Sequence, residues 1–247
     1  MYDLATRQHA LALLSDGRSL NSVSKQTGIS RAAIRAWQVR LEPLPRMNQT
    51  PCAGPPDPAA YAYLLGLYLG DGCISAHPRG GHHLRIACAD AWPGLIELCR
   101  AAIRAVRPSD KVYVLQRQGC VAVTSYGRHW TCLFPQHAPG KKHERRIVLE
   151  DWQQVIIDAH PWEFVRGLIH SDGCRVTNWT VRNGKRYEYP RYFFTNKSDD
   201  IRKLCTDTLA KVGIQWTILA RGSDPLNVSI ARKASVALMD EHIGPKY

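Results

Sequence analysis

Apolar residues recur at Leu11, Leu14, Leu20, Val23, Ile29, Ile34 and Trp37. This spacing predicts three short helices with inward faces over residues 1–41. Asp16-Gly17 ends the first helix. Thr27-Gly28-Ile29 makes a tight turn, and Ser30 is a good N-cap for the third helix. Six prolines then fall between Pro43 and Pro58. That density excludes helix and sheet interior, so 42–57 reads as a semi-rigid linker. Beyond it, helical periodicity predicts helices over 92–106 and 199–212, and alternation predicts strands over 111–118, 121–126, 215–221 and 226–231. Asn183-Gly184 joins two further strands, 174–182 and 185–195, as a hairpin, and Arg79-Gly80-Gly81 turns an earlier one.

The body of the chain repeats itself. Pro58-Ala-Ala-Tyr-Ala-Tyr-Leu-Leu-Gly-Leu-Tyr-Leu-Gly-Asp-Gly-Cys matches Pro161-Trp-Glu-Phe-Val-Arg-Gly-Leu-Ile-His-Ser-Asp-Gly-Cys, and the two aspartates, Asp71 and Asp172, lie 101 residues apart. Farther on, the stretch from Leu133 through His137 to Lys142 echoes that from Leu238 through His242 to Lys246. Two matched anchors far apart identify a duplicated unit. Each unit reads helix, two strands, helix, two strands, helix, over 58–160 and 161–247. The expected fold is α+β: a pseudo-symmetric pair of such units whose antiparallel sheets keep one face open, plus a small all-α module at 1–41. In 174–182, Arg175, Thr177 and Trp179 share one strand face, and Val176, Asn178, Thr180 and Arg182 the other; alternation does not say which is open.

Charge narrows the class of partner. The chain carries a formal net charge of +12, and the surplus is shared: 7 basic and 4 acidic groups in 1–57, 12 and 8 in 58–160, 14 and 9 in 161–247. An evenly spread surplus suits an extended polyanion contact better than a basic tail. No apolar run approaches the ~20 residues of a membrane span, and the N-terminus lacks the pattern of a secretory signal. The eight cysteines include no C-x-x-C pair, so reduced thiols and a cytoplasmic protein are expected. His137 and His242 read as helix-end histidines bonding a terminal carbonyl, or else as phosphate contacts.

Gly66 and Gly70 are four apart, as are Gly167 and Ser171. Each small pair lies on one helix face and lets two backbones approach closely. Leu64-Leu-Gly-Leu-Tyr-Leu-Gly-Asp71-Gly72 and Val165-Arg-Gly-Leu-Ile-His-Ser-Asp172-Gly173 resemble two copies of the LAGLIDADG motif of homing endonucleases, of the two-motif monomeric type. Ser19 through Trp37 resembles a helix-turn-helix, whose third helix offers Arg31, Arg35, Gln38 and Arg40 to DNA. The resemblance implies a monomer that straddles double-stranded DNA with a saddle of two sheets. It implies that the acid closing each motif, with the carbonyl before it, binds Mg²⁺: Asp71 with Gly70, and Asp172 with Ser171. Two such carboxylates repel, and hard divalent cations relieve the repulsion. By motif position, Lys142, Lys246 and Asn196 complete the catalytic set. The first-repeat counterpart of Asn196 falls near Ala87–Cys88, an apolar departure that makes the half-sites unequal. Leu69 and His170 replace the motif's inner aspartate. Strand residues Arg85, Arg175, Arg182, Lys185 and Arg186 are expected on DNA.

The resemblance, together with the charge and the paired aspartates, implies a Mg²⁺-dependent, site-specific double-stranded DNA endonuclease. Two alternatives share the fold: a non-cleaving DNA-binding transcriptional regulator and an RNA-splicing maturase.

Overall fold

A computed structural model describes residues 2–42, 54–78, 80–221, 224–244 and 246–247. The linker expected at 42–57 lies largely outside them. The chain divides into two units, Met1–Ala53 and Gly54–Tyr247.

In the smaller unit α1 (Leu4–Ser15), α2 (Leu20–Thr27) and α3 (Arg31–Val39) are each capped by the side chain just before them. Asp3 accepts from Thr6 N at 2.7 Å, Ser19 from Ser22 N at 3.2 Å and Ser30 from Ala33 N at 3.3 Å. These bonds satisfy helix-start amides that have no partner within the helix. Gly28, at φ +69°, supplies the left-handed turn that closes α2. The core is Ala10, Leu13, Val23, Ile29, Ile34 and Trp37, with Leu11, Leu14 and Leu20 only partly buried at its edge. The inward stripe of α1 thus sits one residue away from the predicted one. Arg7 shares that stripe: it donates to the Tyr2 and Leu41 carbonyls and lies over the Trp37 ring. Arg31, Arg35 and Gln38 lie on the exposed side of α3, and Arg40, also exposed, is its C-cap in extended backbone one residue past the helix.

The larger unit runs α4 (Pro58–Asp71), β1 (Gly72–Ala76), β2 (His82–Ala89), α5 (Pro93–Val106), β3 (Val112–Arg117), β4 (Cys120–Gly127) and α6 (Trp130–Leu133). After α7 (Asp151–Ala159) the plan repeats as α8 (Pro161–Asp172), β5 (Gly173–Arg182), β6 (Lys185–Thr195), α9 (Asp199–Lys211), β7 (Thr217–Arg221), β8 (Asp224–Ile230) and α10 (Lys233–His242). The two antiparallel sheets have the same order, β1-β2-β4-β3 and β5-β6-β8-β7. The mixed α+β architecture is the one expected. Helix α7 was not anticipated. A reciprocal capping box between Glu150 and Gln153 starts it. The buried Gln153 side chain also bonds the Tyr61 hydroxyl at 2.6 Å and Gln136, tying α7 to the start of α4.

Register fixes the sheet faces. Ile74, Leu84, Ile86, Val121 and Val123 point into the core, as do Tyr192, Phe194, Val228 and Ile230 in the second sheet. On the other face, Cys73, Arg85, Thr124 and Tyr113 align across the first sheet, and Cys174, Phe193, Ser229 and Thr217 across the second. Strands β5 and β6 pair from Gly173↔Phe194 to Arg182↔Lys185, but β8 pairs only with Tyr192–Thr195. The far end of this hairpin is therefore a two-stranded ribbon beyond the sheet. Asn183 (φ +50°) and Gly184 (φ +75°) close it with the two left-handed residues that a type I′ two-residue turn demands.

At the centre, α4 is buried from Tyr61 to Leu69 and packs on α8. Its composition is apolar on every side, as suits a helix covered all round. Helix packing at this point leaves no room for side chains. A Cβ on Gly66 would stand 2.6 Å from the Phe164 carbonyl oxygen, and one on Gly167 would strike the Tyr63 carbonyl. Among the described residues, no helix is long and apolar enough to cross a membrane.

Gly167→Ala is expected to destabilise the protein by about 1–3 kcal/mol in urea unfolding, because the backbones must part. Gly54→Ala, which meets nothing within 4 Å, is the control. Equal midpoints for the two variants would contradict the close approach.

Candidate functional site

Helices α4 and α8 end together, at Asp71 and Asp172. Glycine follows each, but not for left-handed backbone: Gly72 has φ −91° and Gly173 φ −103°. The strand instead folds back across the last helical turn. A Cβ on Gly72 would lie 2.5 Å from Tyr68 Cα, and one on Gly173 2.7 Å from Ile169 Cα. The second small pair acts at the same end. A Cβ on Gly70 would lie 2.5 Å from Ser171 Cβ and 3.0 Å from Asp172 Oδ2. Thus the glycine spacing brings one repeat's backbone against the other's carboxylate.

Electrostatics follow from this convergence. Two helix C-termini present unpaired carbonyls and the negative ends of their dipoles, and two carboxylates are added. Asp71 sits exposed at the mouth of the site, yet the protein around its carboxyl desolvates it and the Asp172 charge repels it, pushing its pKa up to about 6. Burial also raises Asp172, against a 2.6 Å hydrogen bond donated by Asn196 Nδ2. Two ammonium groups offset the negative charge. Lys142 Nζ donates to the carbonyls of Leu69 at 3.0 Å and Gly70 at 2.9 Å, and to that of Tyr68, whose ring it also faces. Lys246 Nζ donates to the Ser171 carbonyl at 3.0 Å. Burial lowers both lysines, Lys142 to about 8, while the two aspartates hold them up.

Asp71, Asp172, Gly70, Ser171, Lys142, Lys246 and Asn196 are therefore brought together. Beside them is a cavity of about 330 Å³ lined by Leu69, Gly70, Lys142, His143, Asp172, Thr195, Asn196 and Lys197. Lys197 and His143 were not picked out from the sequence; the dipeptide Asn196-Lys197, directly after a strand that feeds the site, was the available signal. Among the described residues, no cluster of three or more His, Cys, Asp or Glu could hold a metal. A cation here would need backbone oxygens as well. The donor set is two carboxylates and two carbonyls, all oxygen, and the carbonyls already carry cationic partners. That chemistry fits a hard divalent ion such as Mg²⁺.

The half-sites differ. Gly72 pairs with Ile86 and Gly173 with Phe194, so Cys88 occupies the place of Asn196. Its thiol lies buried against Cys99. Asp71 thus lacks the amide that Asp172 has. His170, in place of an acid, is buried, bonds the Tyr63 hydroxyl at 3.0 Å and is pushed down to about 4 by burial, so it is neutral.

The sheet residues divide. Arg182 and Lys185 face each other near the ribbon tip, on the face away from the helices, and Arg85 occupies that face of the first sheet, donating to Ser75 Oγ. Arg175 is corrected: it lies on the helix side of β5 and makes a two-pronged ion pair with Asp240 of α10, at 2.6 and 2.9 Å, which also accepts from the Tyr192 hydroxyl. Arg186 shares the Arg175 face, pairing with Glu188 at 3.0 Å over the Trp179 ring. The rings of His137 and His242 lie against His82 and Trp162 respectively.

No protein-family model matches the chain, and no curated protein matches it. Solved structures do. Mesophilic variants of the homing endonuclease I-DmoI align with a TM-score of 0.50 at 17% identity, over 75% of this chain and 96% of theirs. I-DmoI in complex with DNA and Mn aligns with a TM-score of 0.50 at 15% identity, over 77% and 98%. The N-terminal LAGLIDADG domain of DUF199/WhiA gives 0.48 at 14% identity, over 81% and 86%. The chain has the LAGLIDADG fold.

The raised pKa of Asp71 implies a stability effect of definite sign. A carboxyl whose folded value, about 6, exceeds its usual 3.8 binds protons more tightly in the folded state. Its contribution is therefore fully present below pH 3.8 and is lost as pH rises through 6. Metal-free Asp71→Asn is expected to be more stable than the parent at pH 8 by about 0.5–1 kcal/mol, a figure discounted for solvent screening. The two should converge at pH 4. Urea midpoints in EDTA check this; a less stable variant at pH 8 would contradict it.

Proposed function

We propose that this protein is a site-specific double-stranded DNA endonuclease that hydrolyses phosphodiester bonds with divalent metal held between Asp71 and Asp172. The observation that carries the reading is the meeting of two carboxylates and two lysine ammonium groups where the central helices end, beside the open faces of two antiparallel sheets. The +12 charge and the fold shared with I-DmoI, described in complex with DNA and Mn, support it.

In this reading Asp71, Asp172 and the carbonyls of Gly70 and Ser171 hold Mg²⁺. When bound, the metal activates water and stabilises the attacking and leaving oxygens. The chain's own groups do the rest. Lys142 and Lys246 are cations beside the point where phosphate charge develops, in a partly desolvated site where such charge stabilisation is strongest. Asn196 fixes the orientation of the Asp172 carboxylate. Arg85, Arg182 and Lys185 lie on the faces that meet the duplex, with the exposed Tyr113, Leu115, Tyr187 and Tyr189 nearby. Phosphate contacts position the protein and strand side chains read base edges. Arg31, Arg35 and Gln38 of α3 add contacts as a helix-turn-helix would. The protein acts as a monomer, because both half-sites reside in one chain.

The test is selection of bound sequences from randomised duplex DNA with Ca²⁺ present, followed by exchange to Mg²⁺. Double-strand cuts at one position are expected. Asp71→Asn and Asp172→Asn should each abolish cutting while leaving binding within about tenfold, since metal chemistry and groove contacts are separable. Binding should weaken about 10³-fold or more between 50 and 200 mM salt. Specific binding with no cut would overturn the endonuclease reading in favour of the DNA-binding regulator, and preference for folded RNA would favour the maturase.

A further inference from the structure

Lys142 and Lys246 are placed by different means. Lys142 reaches three carbonyls of one helix end. Lys246 reaches one, that of Ser171, from beyond α10, where Gly244, Lys246 and Tyr247 belong to no helix or strand. Ile243, buried to 5% exposure, anchors one side of that segment. The other anchor lies in the other repeat. The Tyr247 backbone oxygen accepts from Leu95 N at 3.1 Å, and one edge of the largely exposed Tyr247 ring lies against Gly94, where an added Cβ would strike it and come within 2.8 Å of that oxygen.

The start of α5 is built to receive this oxygen. Its N-cap, Trp92, makes no side-chain cap bond. The matching helix of the second repeat, α9, is capped within its own repeat by Ser198, which accepts from Ile201 N at 3.4 Å. First-turn amides need a partner from outside the helix, and Tyr247 provides one across the repeat boundary. Pro93 removes one of those amides, and Gly94 removes the side chain that would block the approach. The contact uses the ring edge and the backbone.

We infer that Tyr247 is a positioning residue: its seat on Gly94 and Leu95 holds the Lys246 ammonium at the Ser171 carbonyl, beside both aspartates, and so governs the rate of cleavage and not the affinity for DNA. This rests on the endonuclease reading. The lysine of the second half-site is thereby held by the first repeat, so the two repeats must be correctly docked before both ammonium groups are in place. Because the hydroxyl takes no part in the seat, phenylalanine should serve equally well.

The test compares Gly94→Val, Tyr247→Ala and Tyr247→Phe with the parent protein. Competitive acylation of amines, read by mass spectrometry, reports the freedom of Lys246 without any need for turnover. Acylation of Lys246 should rise about fivefold or more in Gly94→Val and Tyr247→Ala and stay unchanged in Tyr247→Phe, with Lys142 unchanged throughout. Single-turnover cleavage of the selected duplex should fall about tenfold or more in the first two variants, with Kd in Ca²⁺ within about threefold, as expected when only a charge active in the transition state is misplaced. Unchanged acylation in Gly94→Val overturns the inference, and so does acylation that rises with no loss of rate. A parent protein that binds but does not cut defeats the endonuclease reading alone; the acylation ratios then still decide whether Tyr247 holds Lys246.

Discussion

The contact between the backbones of α4 and α8 is the constraint on which the rest depends. Gly66 and Gly167 meet the opposite helix with no side chain between, and the next small pair, Gly70 and Ser171, carries that approach to the helix ends. Such closeness has an electrostatic cost. Two helix termini and two carboxylates share one small volume; burial there raises both acids, and the Asp172 charge raises Asp71 further. The fold offsets this with ammonium groups set on the terminal carbonyls. A site held in that state favours any further cation, and its donors are all oxygen. Packing and candidate chemistry are therefore one feature: a larger residue at Gly66 or Gly167 would separate the helices and the carboxylates together.

The pseudo-symmetry is exact in topology and broken in chemistry. Both sheets have the same strand order. Yet Asp172 has Asn196 and Asp71 faces the place of Cys88, whose thiol is spent on Cys99. Lys142 is fixed by one helix end, and Lys246 by a contact that crosses between repeats. The β5–β6 ribbon extends past its sheet, whereas β1 pairs with β2 over five residues only, Gly72 to Ala76. The unequal hairpins give the two halves of the proposed duplex contact different surfaces, so the proposed target is asymmetric.

Much of this was legible in the sequence. The duplicated motif, the hairpin at Asn183-Gly184 and the helix-strand order follow from periodicity and turn chemistry, because local rules and the final packing agree there. The glycine pairs announced the helix contact by spacing alone. Other features depended on what lies across the fold. Alternation in β5 gave two polar faces, since the ribbon leaves the sheet and both sides meet solvent; only the register with β6 and the Asp240 partner assign Arg175 to the helix side. Helix α7 was missed because its signal is a Glu150–Gln153 capping box and a buried glutamine, not an apolar stripe. Motif position pointed to Lys246 itself, but not to what anchors it, because the anchor is a backbone amide left open in the other repeat, which no local pattern reveals.

In the proposed reading, close helix packing makes one cation site from two repeats. Mn²⁺ binding to the free protein, followed by electron paramagnetic resonance, tests it most directly, because Mn²⁺ takes the same oxygen donors as Mg²⁺. Bound Mn²⁺ is expected in the parent, weakened about tenfold or more by either Asp71→Asn or Asp172→Asn alone, because one ion uses both acids. Mn²⁺ affinity indifferent to one of the two substitutions would contradict a shared site.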